Sequence, residues 1–480
     1  GKSALAANTT ASSNTGLGFQ ALGNNTTGAG NTSIGQNALY ANATGASNVA
    51  VGLTALTANT TGAANTATGK NALASNTNGG PNVANGFYAL EANTTGGSNV
   101  GVGSNALEFN TTGSNNTAVG KSSLGANTTG ATNTAVGKDS LKTNTTGTNN
   151  TAVGVYSLDA NTTGWGNTAM GVYSLSANTT ANYNTAIGER SLMANTTGVN
   201  MTAVGYNAGL SHTTGNSSTF VGTDSGKQTT TGVGNTFVGD GSGRQNTTGA
   251  RNVAMGQSAL LAATTANENT AMGYLAGTAC TTGNENTFVG AYSGNYTYPT
   301  TTGIHNVMVG ALAHAHNAAG RNQIVIGRYC RGIGDYHIVM GTDGGADRIY
   351  NNYTSNATWT RASDERIKKD ITTNIDCGLA FINDLRTVTY KFKAPSELAA
   401  TMSEYDAEVT SPRYTDKMYG FIAQEVKAAM DTHNITDFAG WNKVEDGGDN
   451  MQGISYEMFV MPLVKAIQEL SAKVEALENA

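Results

Sequence analysis

Residues 116–132 read NTAVGKSSLGANTTGAT, and this 17-residue unit decides the fold because it recurs along most of the chain. The turn element Asn-Thr-Thr-Gly within it begins at Asn127, and identical copies begin a whole number of units away from that position, among them those at Asn25, Asn59, Asn93, Asn110, Asn144, Asn161 and Asn195. Degenerate copies keep the same phase, so that seventeen units follow one another from Asn8 to Cys280. A fixed period of this kind indicates a solenoid in which each repeat forms one coil.

A glycine that ends the segment Asn-Thr-Ala-Val-Gly keeps the same 17-residue spacing from Gly18 to Gly290. Asn occurs four residues before this glycine in fifteen of the seventeen units, and Met201 and Ser218 are the exceptions. Leu occurs four residues after it in the first eleven units and at Leu260, while Gly takes that place in the remaining five, namely Gly209, Gly226, Gly243, Gly277 and Gly294. Positions held this strictly indicate a structural requirement of each coil.

The unit predicts a coil made of a strand, a glycine corner, a second short strand and a Thr-Thr-Gly turn. Side chains of the segment Asn-Thr-Ala-Val alternate between two faces, and the glycine permits a corner that a Cβ would block. We expect the Leu side chains to stack along the axis and the repeated Asn to form a ladder of amide hydrogen bonds. At ~4.8 Å per coil, about twenty coils make a rod on the order of 100 Å long.

Each unit supplies only one Leu and one Val, which is little apolar core for an isolated solenoid. We therefore expect three chains to pack together and to bury the missing surface. The motif Asn-Thr-Ala-Val-Gly-x-x-Ser-Leu resembles repeats in the trimeric β-roll heads of bacterial adhesins and in phage tail fibres. The predicted fold is a homotrimeric parallel β-roll or β-helix solenoid, followed by a small α+β domain that ends in a long helix.

The spacing of the repeated glycines changes after Gly290. The next glycines of this type are Gly310, Gly327 and Gly341, so that the first spacing is longer than the repeat, the second equals it and the third is shorter. This predicts a regular solenoid over residues 1–303, modified terminating coils over residues 304–341, and a neck over residues 342–362. Residues 363–480 carry 32 of the chain's 58 charged residues. This abrupt rise in charge density predicts a separate globular domain.

Two helices are predicted in residues 363–480 from the spacing of apolar residues. One runs from Asp416 to Met430, and its apolar face consists of Phe421, Ile422, Val426 and Met430. The other runs from Tyr456 to Leu477, and its apolar residues alternate in spacings of four and three: Phe459, Leu463, Ile467, Leu470, Val474 and Leu477. A seam of this kind, flanked by Lys and Glu, is typical of a coiled coil and suits a bundle of three chains.

Four motifs occur in this region, in the order Ser363-Asp-Glu-Arg-Ile-Lys-Lys-Asp-Ile371, Tyr419-Gly-Phe-Ile-Ala-Gln-Glu-Val426, Ile454-Ser-Tyr-Glu457 and Pro462-Leu-Val-Lys-Ala-Ile-Gln-Glu-Leu470. They resemble the intramolecular chaperone domain, of the peptidase S74 type, that ends many phage tail fibres and spikes. The resemblance extends over residues 361–480. It implies that the domain forms a trimer, nucleates folding of the upstream fibre and then cuts itself off through a Ser-Lys dyad.

Carried onto this chain, the resemblance makes Ser363 the nucleophile, Lys368 the general base and Ala362–Ser363 the scissile bond. A serine hydroxyl attacks poorly until a base takes its proton, and a lysine is such a base only when its pKa falls toward neutrality. The neighbouring cations Arg366 and Lys369 lower the pKa in that direction. Lys369 is the alternative base, because spacing alone does not distinguish the two lysines. Without the resemblance, the residue types favour Ser363 as a helix cap and solvated lysines.

His314-Ala-His316 is the one cluster with metal-ligand character. On a strand, residues i and i+2 face the same side, so three copies around an axis would present six imidazoles to one ion. Iron or another transition metal is the ion expected there, and exposed polar histidines are the alternative. No cofactor is otherwise required. The three cysteines are too far apart in sequence to form a zinc or disulfide pattern: Cys280, Cys330 and Cys377.

The composition argues against several classes of function. The net charge of −6 and the lack of a basic run give no footprint for nucleic acid, and no apolar stretch is long enough for membrane insertion. A glycan-degrading spike needs paired carboxylates, whereas the acids of the solenoid are scattered among different positions of the coil. An ice-binding solenoid needs a flat threonine array, whereas adjacent Thr-Thr side chains point to opposite sides.

The predicted function is that of a virion tail fibre that attaches a phage to its host, and an adhesive fibre on a bacterial cell surface is the alternative. The host receptor is expected to be a glycan or an outer-membrane component, contacted near residues 304–359 once the chaperone has left. Self-cleavage would be the one reaction, performed once in each chain, so no turnover enzyme is predicted.

Overall fold

The structure is a computed structural model, and it describes residues 1–342, 348–354, 360–361, 371–400, 405, 407–412, 415–443 and 452–480. The chain forms two compact units, Gly1–Ser363 and Asp364–Ala480. The first unit is the predicted parallel β-solenoid. The second is a small region of helices and short strands that ends in a long helix.

Each coil of the solenoid contributes one three-residue strand to a single parallel sheet. Equivalent residues of successive coils pair directly, as Thr117 with Thr134 and Val119 with Val136, so the 17-residue register is the register of the sheet. The strands are β1 Thr15–Leu17, β2 Thr32–Ile34, β3 Val49–Val51, β4 Thr66–Thr68, β5 Val83–Asn85, β6 Val100–Val102, β7 Thr117–Val119, β8 Thr134–Val136, β9 Thr151–Val153, β10 Thr168–Met170, β11 Thr185–Ile187, β12 Thr202–Val204, β13 Thr219–Val221, β14 Thr236–Val238, β15 Val253–Met255, β16 Thr270–Met272, β17 Thr287–Val289, β18 Val307–Val309 and β19 Ile324–Ile326.

The sheet changes direction at its C-terminal end. Strand β20, His337–Gly341, still pairs in parallel with β19. The next strand, β21, Arg348–Asn352, pairs with β20 in the antiparallel direction. Strand β22, Thr360–Arg361, is in turn antiparallel to β21. Part of the predicted neck therefore continues the sheet.

The second strand predicted in each coil does not form, although residues 1–342 are all described. In its place lies a run of left-handed turn residues, such as Ser122 with φ of 55° and Leu124 with φ of 51°. This conformation costs a non-glycine residue roughly 1–2 kcal/mol. Hydrogen bonds between coils offset the cost, because the Leu124 N–H donates to the Ser140 carbonyl at 3.0 Å and the Ser122 N–H to the Ser104 carbonyl at 2.9 Å.

The apolar core lies inside each chain. The middle residue of the strand and the repeated Leu, such as Ala118 and Leu124, are both fully buried in the single chain. Each narrow coil closes around its own Ala and Leu, so the predicted stack of Leu side chains lies inside a single chain. The Val of the same strand, Val119, points outward.

The glycines that replace Leu are matched by phenylalanines in the strands. Phe220 is fully buried, and a methyl group added at Gly209 or Gly226 would lie within 2.7 Å of its ring. Phe237 fills the space at Gly243 in the same way, and Phe288 fills the space at the glycines of its own and the preceding coil. An Ala and Leu pair is thus exchanged for a Phe and Gly pair, which keeps the volume of the core nearly constant.

Two ladders of asparagine run along the interior, which confirms the predicted amide ladder. In the first, Asn127 Nδ2 donates to Asn110 Oδ1 at 2.7 Å and to the Gly130 carbonyl at 2.9 Å. In the second, the Asn133 backbone N–H donates to Asn116 Oδ1 at 3.0 Å. These amides are buried, and the ladders satisfy polar groups that would otherwise destabilise the core.

The first ladder is interrupted where Asn is replaced. His212 is buried there, and its Nε2 lies 2.8 Å from the Gly215 carbonyl; burial lowers the pKa of this imidazole. Cys280 occupies the same position and its Sγ lies 3.4 Å from the Gly283 carbonyl; burial raises the pKa of this thiol to about 12. Cys330 and Cys377 are also free and buried, and all three read as small packing residues.

The second unit has three helices and two short antiparallel pairs among its described residues. In chain order these are α1 Leu379–Asn383, β23 Val388–Tyr390, β24 Met418–Gly420, α2 Ala423–Thr432, β25 Trp441–Lys443, β26 Gln452–Ile454 and α3 Val460–Glu478. Turns of 3₁₀ helix span Pro395–Glu397 and Tyr456–Phe459. The buried core consists of Cys377, Phe381, Val426, Ala429, Met430, Ile435 and Phe459.

The helix predicted from Asp416 begins only at Ala423. Residues Met418–Gly420 form β24 instead, because their backbone pairs with β23 and Ile422 is extended. The later part of the prediction is confirmed, since Val426 and Met430 lie on the buried face of α2.

Candidate functional site

The predicted processing residues Ala362, Ser363, Lys368 and Lys369 lie outside the described residues. The dyad and the scissile bond therefore stay predictions. The structure describes the elements of the second unit that follow these residues in the chain, and the exposed apolar surfaces of both units.

The described part of the second unit is held together by polar contacts around its helices. The Leu379 N–H at the start of α1 donates to Glu469 Oε2 of α3 at 2.8 Å. Arg386 forms a two-point ion pair with Glu425, with Nε 3.0 Å from Oε2, and the guanidinium lowers the pKa of that carboxyl. These contacts join α1 and the segment after it to both longer helices, and so orient α3.

Helix α3 exposes most of the predicted apolar seam. The exposed residues on one side of this helix are Leu463, Ile467, Leu470, Val474 and Leu477. Phe459 was predicted to belong to the seam and does not, because it lies before the helix and is buried against Phe421 and Phe438. A row of exposed apolar residues spaced by four and three along a helix is the pattern of a helix that packs on other helices.

A second exposed apolar surface runs along the solenoid. We define the outer stripe as the third residue of strands β1–β19. Successive side chains of a strand point to opposite faces, so this residue faces outward where the middle residue faces the core. The stripe is apolar in all but two of its nineteen positions: Leu17, Ile34, Val51, Thr68, Asn85, Val102, Val119, Val136, Val153, Met170, Ile187, Val204, Val221, Val238, Met255, Met272, Val289, Val309 and Ile326.

Sequence reasoning missed the outer stripe, although the signal was present. The alternation in Thr-Ala-Val assigns Ala and Val to opposite faces, but Val was counted together with the repeated Leu as the thin core. With Leu17 at 62% and Val119 at 36% exposure, the stripe is open to solvent in the single chain. It is a surface that another molecule could cover.

The two histidines of the predicted metal cluster have different neighbours. His314 is buried, its Nδ1 lies 3.0 Å from the Leu312 carbonyl, and its ring lies beside Tyr296. His316 is more open, and its Nδ1 lies 3.8 Å from Asp335 Oδ1. The described residues contain no group of three or more His, Cys, Asp or Glu side chains that one chain could offer to a metal. The metal site stays a prediction that depends on three chains.

Comparison with known proteins identifies the C-terminal domain. Residues 363–435 match the Peptidase_S74 family, described as chaperone of endosialidase. The match begins at the predicted nucleophile and includes β23, β24 and α2, while the motifs at 454–457 and 462–470 lie beyond it. A search of curated proteins and a search of solved structures each returned no significant match. Of the helices described, none combines the length and apolar character needed to cross a bilayer.

A β-solenoid in strict register thus precedes a chaperone-of-endosialidase domain in one chain. Domains of this type imply the formation of a trimer and a chaperone that cleaves itself.

Proposed function

We propose that this chain is the subunit of a trimeric tail fibre of a phage virion. The C-terminal domain aligns the three chains during folding and is then removed from the fibre by self-cleavage. The observation that carries the proposal is the chaperone-of-endosialidase domain at residues 363–435, directly after the solenoid. The fibre attaches the particle to its host, and its receptor is a glycan or an outer-membrane component of the host surface.

The outer stripe supports the trimer. Nineteen coils at ~4.8 Å make an apolar strip ~90 Å long. Monomeric proteins seldom expose contiguous apolar patches beyond roughly a few hundred Å². A second and a third copy of this chain fit the strip, because each copy carries the same stripe at the same 17-residue spacing. Three parallel chains in register would place stripe against stripe along the fibre.

The strict repeat also explains why a fibre of this kind needs an aligning domain. When every coil is nearly identical, three chains shifted by one coil bury almost as much surface as three chains in register. The seam of α3 can set the alignment first, because Leu463, Ile467, Leu470, Val474 and Leu477 are exposed in the single chain and suited to a helical bundle. The solenoids then associate from a fixed end.

Self-cleavage follows from the roles proposed for Ser363 and Lys368. The Ser363 Oγ attacks the carbonyl carbon of Ala362 while the lysine amine takes the hydroxyl proton. The peptide C–N bond breaks, the lysine returns the proton to the Ser363 amine, and an ester joins Ala362 to Oγ. Water hydrolyses the ester, which leaves a carboxylate on Ala362 and restores the Ser363 hydroxyl. No metal or cofactor takes part, and removal of the aligning domain makes assembly effectively irreversible.

Charges introduced into the outer stripe should prevent assembly. Replacing both Val119→Asp and Val136→Asp would bring carboxylates of three chains together in an apolar interface, at a cost of several kcal/mol for each buried charge. The β-sheet signal in circular dichroism should persist, because neither Val lies in the core of the chain. Light scattering of the fibre fragment, residues 1–362, should show that the trimer mass is lost.

The matched control is Thr129→Asp with Thr146→Asp, which places the same charges one repeat apart at exposed turn positions. This control should remain trimeric. If both double variants assemble equally well, the stripe is not the interface between chains.

The alternative role, an adhesive fibre on a bacterial cell surface, uses the same architecture. Antibodies against residues 1–303 should decorate the fibres of purified virions in electron microscopy. Labelling of bacterial cells grown without phage, with no labelling of virions, would overturn the virion assignment in favour of the cell-surface fibre.

A further inference from the structure

The one enlarged coil of the repeat holds a cluster of aromatic rings and cations. The spacing between Gly290 and Gly310 is longer than the repeat, and the additional residues raise Tyr296 and Tyr298 beside the coil that contains His314. A cavity of about 540 Å³ lies there, lined by Tyr296, Thr297, Tyr298, His314, Arg328, Tyr329 and Arg331. The lining comes from three successive coils, so it exists only in the folded solenoid.

The aromatic rings form an open platform. The Tyr296 ring lies 5.6 Å from His314 and 5.5 Å from Tyr329, measured between ring centroids, and both contacts are edge-to-face. The Tyr298 ring is stacked against His314 with 6.3 Å between the ring centroids. Tyr296 and Tyr298 remain 46% and 39% exposed. Both rings therefore offer exposed surface to a flat or weakly polar ligand.

The two arginines of the cavity have no carboxylate partner among the described residues. The Arg331 guanidinium lies 4.3 Å from the Tyr298 ring centroid and that of Arg328 lies 4.6 Å from the Tyr329 ring centroid. The Nε of Arg331 is buried and has no hydrogen-bond partner within the described part of the chain. A buried donor on a charged group is costly to leave unpaired, so this atom marks the place of an absent acceptor.

Three other arginines of the solenoid have carboxylate partners. Arg190 contacts Glu189, Arg244 contacts Asp224, and Arg251 contacts Glu268. Arg328 and Arg331 differ from these three, because their guanidinium groups pack on aromatic rings at the cavity.

His314 adds a polar group to the cavity. Its Nδ1 lies 3.0 Å from the Leu312 carbonyl and donates a hydrogen bond to it. The other ring nitrogen, Nε2, is left for a hydroxyl group of a ligand.

We infer that this cavity binds a saccharide that bears a carboxylate. The guanidinium groups of Arg328 and Arg331 pair with the carboxylate, Tyr296 and Tyr298 pack against the C–H face of the sugar ring, and His314 Nε2 forms a hydrogen bond with a hydroxyl. A guanidinium group matches the two oxygens of a carboxylate in shape and charge. The inference deepens the proposed attachment role by naming the class of receptor, but the binding itself does not depend on self-cleavage.

The test is the binding of the full chain to immobilised oligosaccharides that carry uronic acids: oligogalacturonate, oligoalginate and hyaluronan fragments. Each is paired with its carboxyl-reduced form, which keeps the sugar and lacks the charge. At least one acidic member should bind ten-fold or more tightly than its reduced form. Arg328→Gln, which alters an exposed side chain, and Tyr296→Ala with Tyr298→Ala should each weaken that binding ten-fold or more.

Matched controls are Arg190→Gln, which removes an exposed arginine of the same rod, and Tyr206→Ala, which removes a tyrosine as exposed as Tyr296. Both should bind like the unchanged chain. The inference is overturned if no acidic oligosaccharide binds better than its reduced form, or if the cavity variants bind as the controls do. A fibre that cleaves normally but binds no acidic saccharide would reject this site alone and leave the proposed function standing.

Discussion

Replacing Ser363→Ala should leave the chain whole. Without the hydroxyl oxygen there is no nucleophile for the Ala362 carbonyl, and loss of a serine nucleophile typically slows acyl transfer by about 10³-fold or more. The unchanged chain should give two fragments on a denaturing gel, residues 1–362 and 363–480, whereas the variant should give a single band. The variant should still form a trimer, because neither the outer stripe nor the α3 seam is altered.

Three further variants assign the roles around Ser363. Lys368→Gln should block cleavage as completely as the serine variant, and Lys369→Gln should cleave. The reverse result would assign the base to Lys369. Ser411→Ala removes an exposed serine of the same unit and should cleave normally. A full yield of the shorter fragment from Ser363→Ala, with its end mapped by mass spectrometry to Ala362, would refute the nucleophile.

The second large effect is expected where phenylalanine replaces the Ala of the core. Phe237→Ala should destabilise the coils around it by about 3–5 kcal/mol, the usual cost of removing a buried phenylalanine. Gly243→Leu should also be destabilising, because even its Cβ would lie 2.5 Å from the Phe237 ring. The backbone is not the obstacle, since Gly243 has φ of 56° and Leu124 occupies the equivalent position with φ of 51°.

The double variant Phe237→Ala with Gly243→Leu restores the Ala and Leu pair of a normal coil. The free energy of unfolding of the double variant should exceed the value expected from adding the two single effects by about 2 kcal/mol or more. The reason is that the Leu side chain at position 243 fills the space that the removed phenylalanine ring leaves. Hydrogen exchange of the amides over residues 219–255, read by mass spectrometry, measures the local stability that a repeat protein does not report as one global transition.

A second double variant shows whether the coupling is local. Phe237→Ala with Gly294→Leu makes the same two types of substitution in two coils that are not in contact. The glycine in this variant, Gly294, faces Phe288 and not Phe237. Its two effects should add. If both double variants are additive, the exchange of Ala and Leu for Phe and Gly is not a packing compensation.

Much of the fold can be predicted from the repeat. A strict period predicts one coil per unit, and the pairing of Thr117 with Thr134 shows that the predicted register is the real one. The asparagine ladders were predictable because identical amides stacked at one position can bond to one another along the axis. The C-terminal domain was recognisable because its motifs are specific and occur in order.

Other features depend on the direction in which side chains point. The repeated Leu fills its own coil because its left-handed backbone turns it inward, a conformation that Leu alone does not predict. The Val of the strand was assigned to the core and lies on the outer stripe. In the second unit, the apolar residues before Ala423 suit a helix as well as a strand, and pairing of Met418–Gly420 with β23 decides for the strand.

The sequence by itself determined the number of coils, their register and the presence of a chaperone-type domain, because these depend on period and on local motifs. The tertiary structure alone decided which residues close the core of one chain and which remain open to others. It also placed Tyr296, His314 and Arg331 around one cavity from three different coils. Residues a full repeat or more apart become neighbours only when the coils stack, and the contacts made across coils determine what each side chain faces.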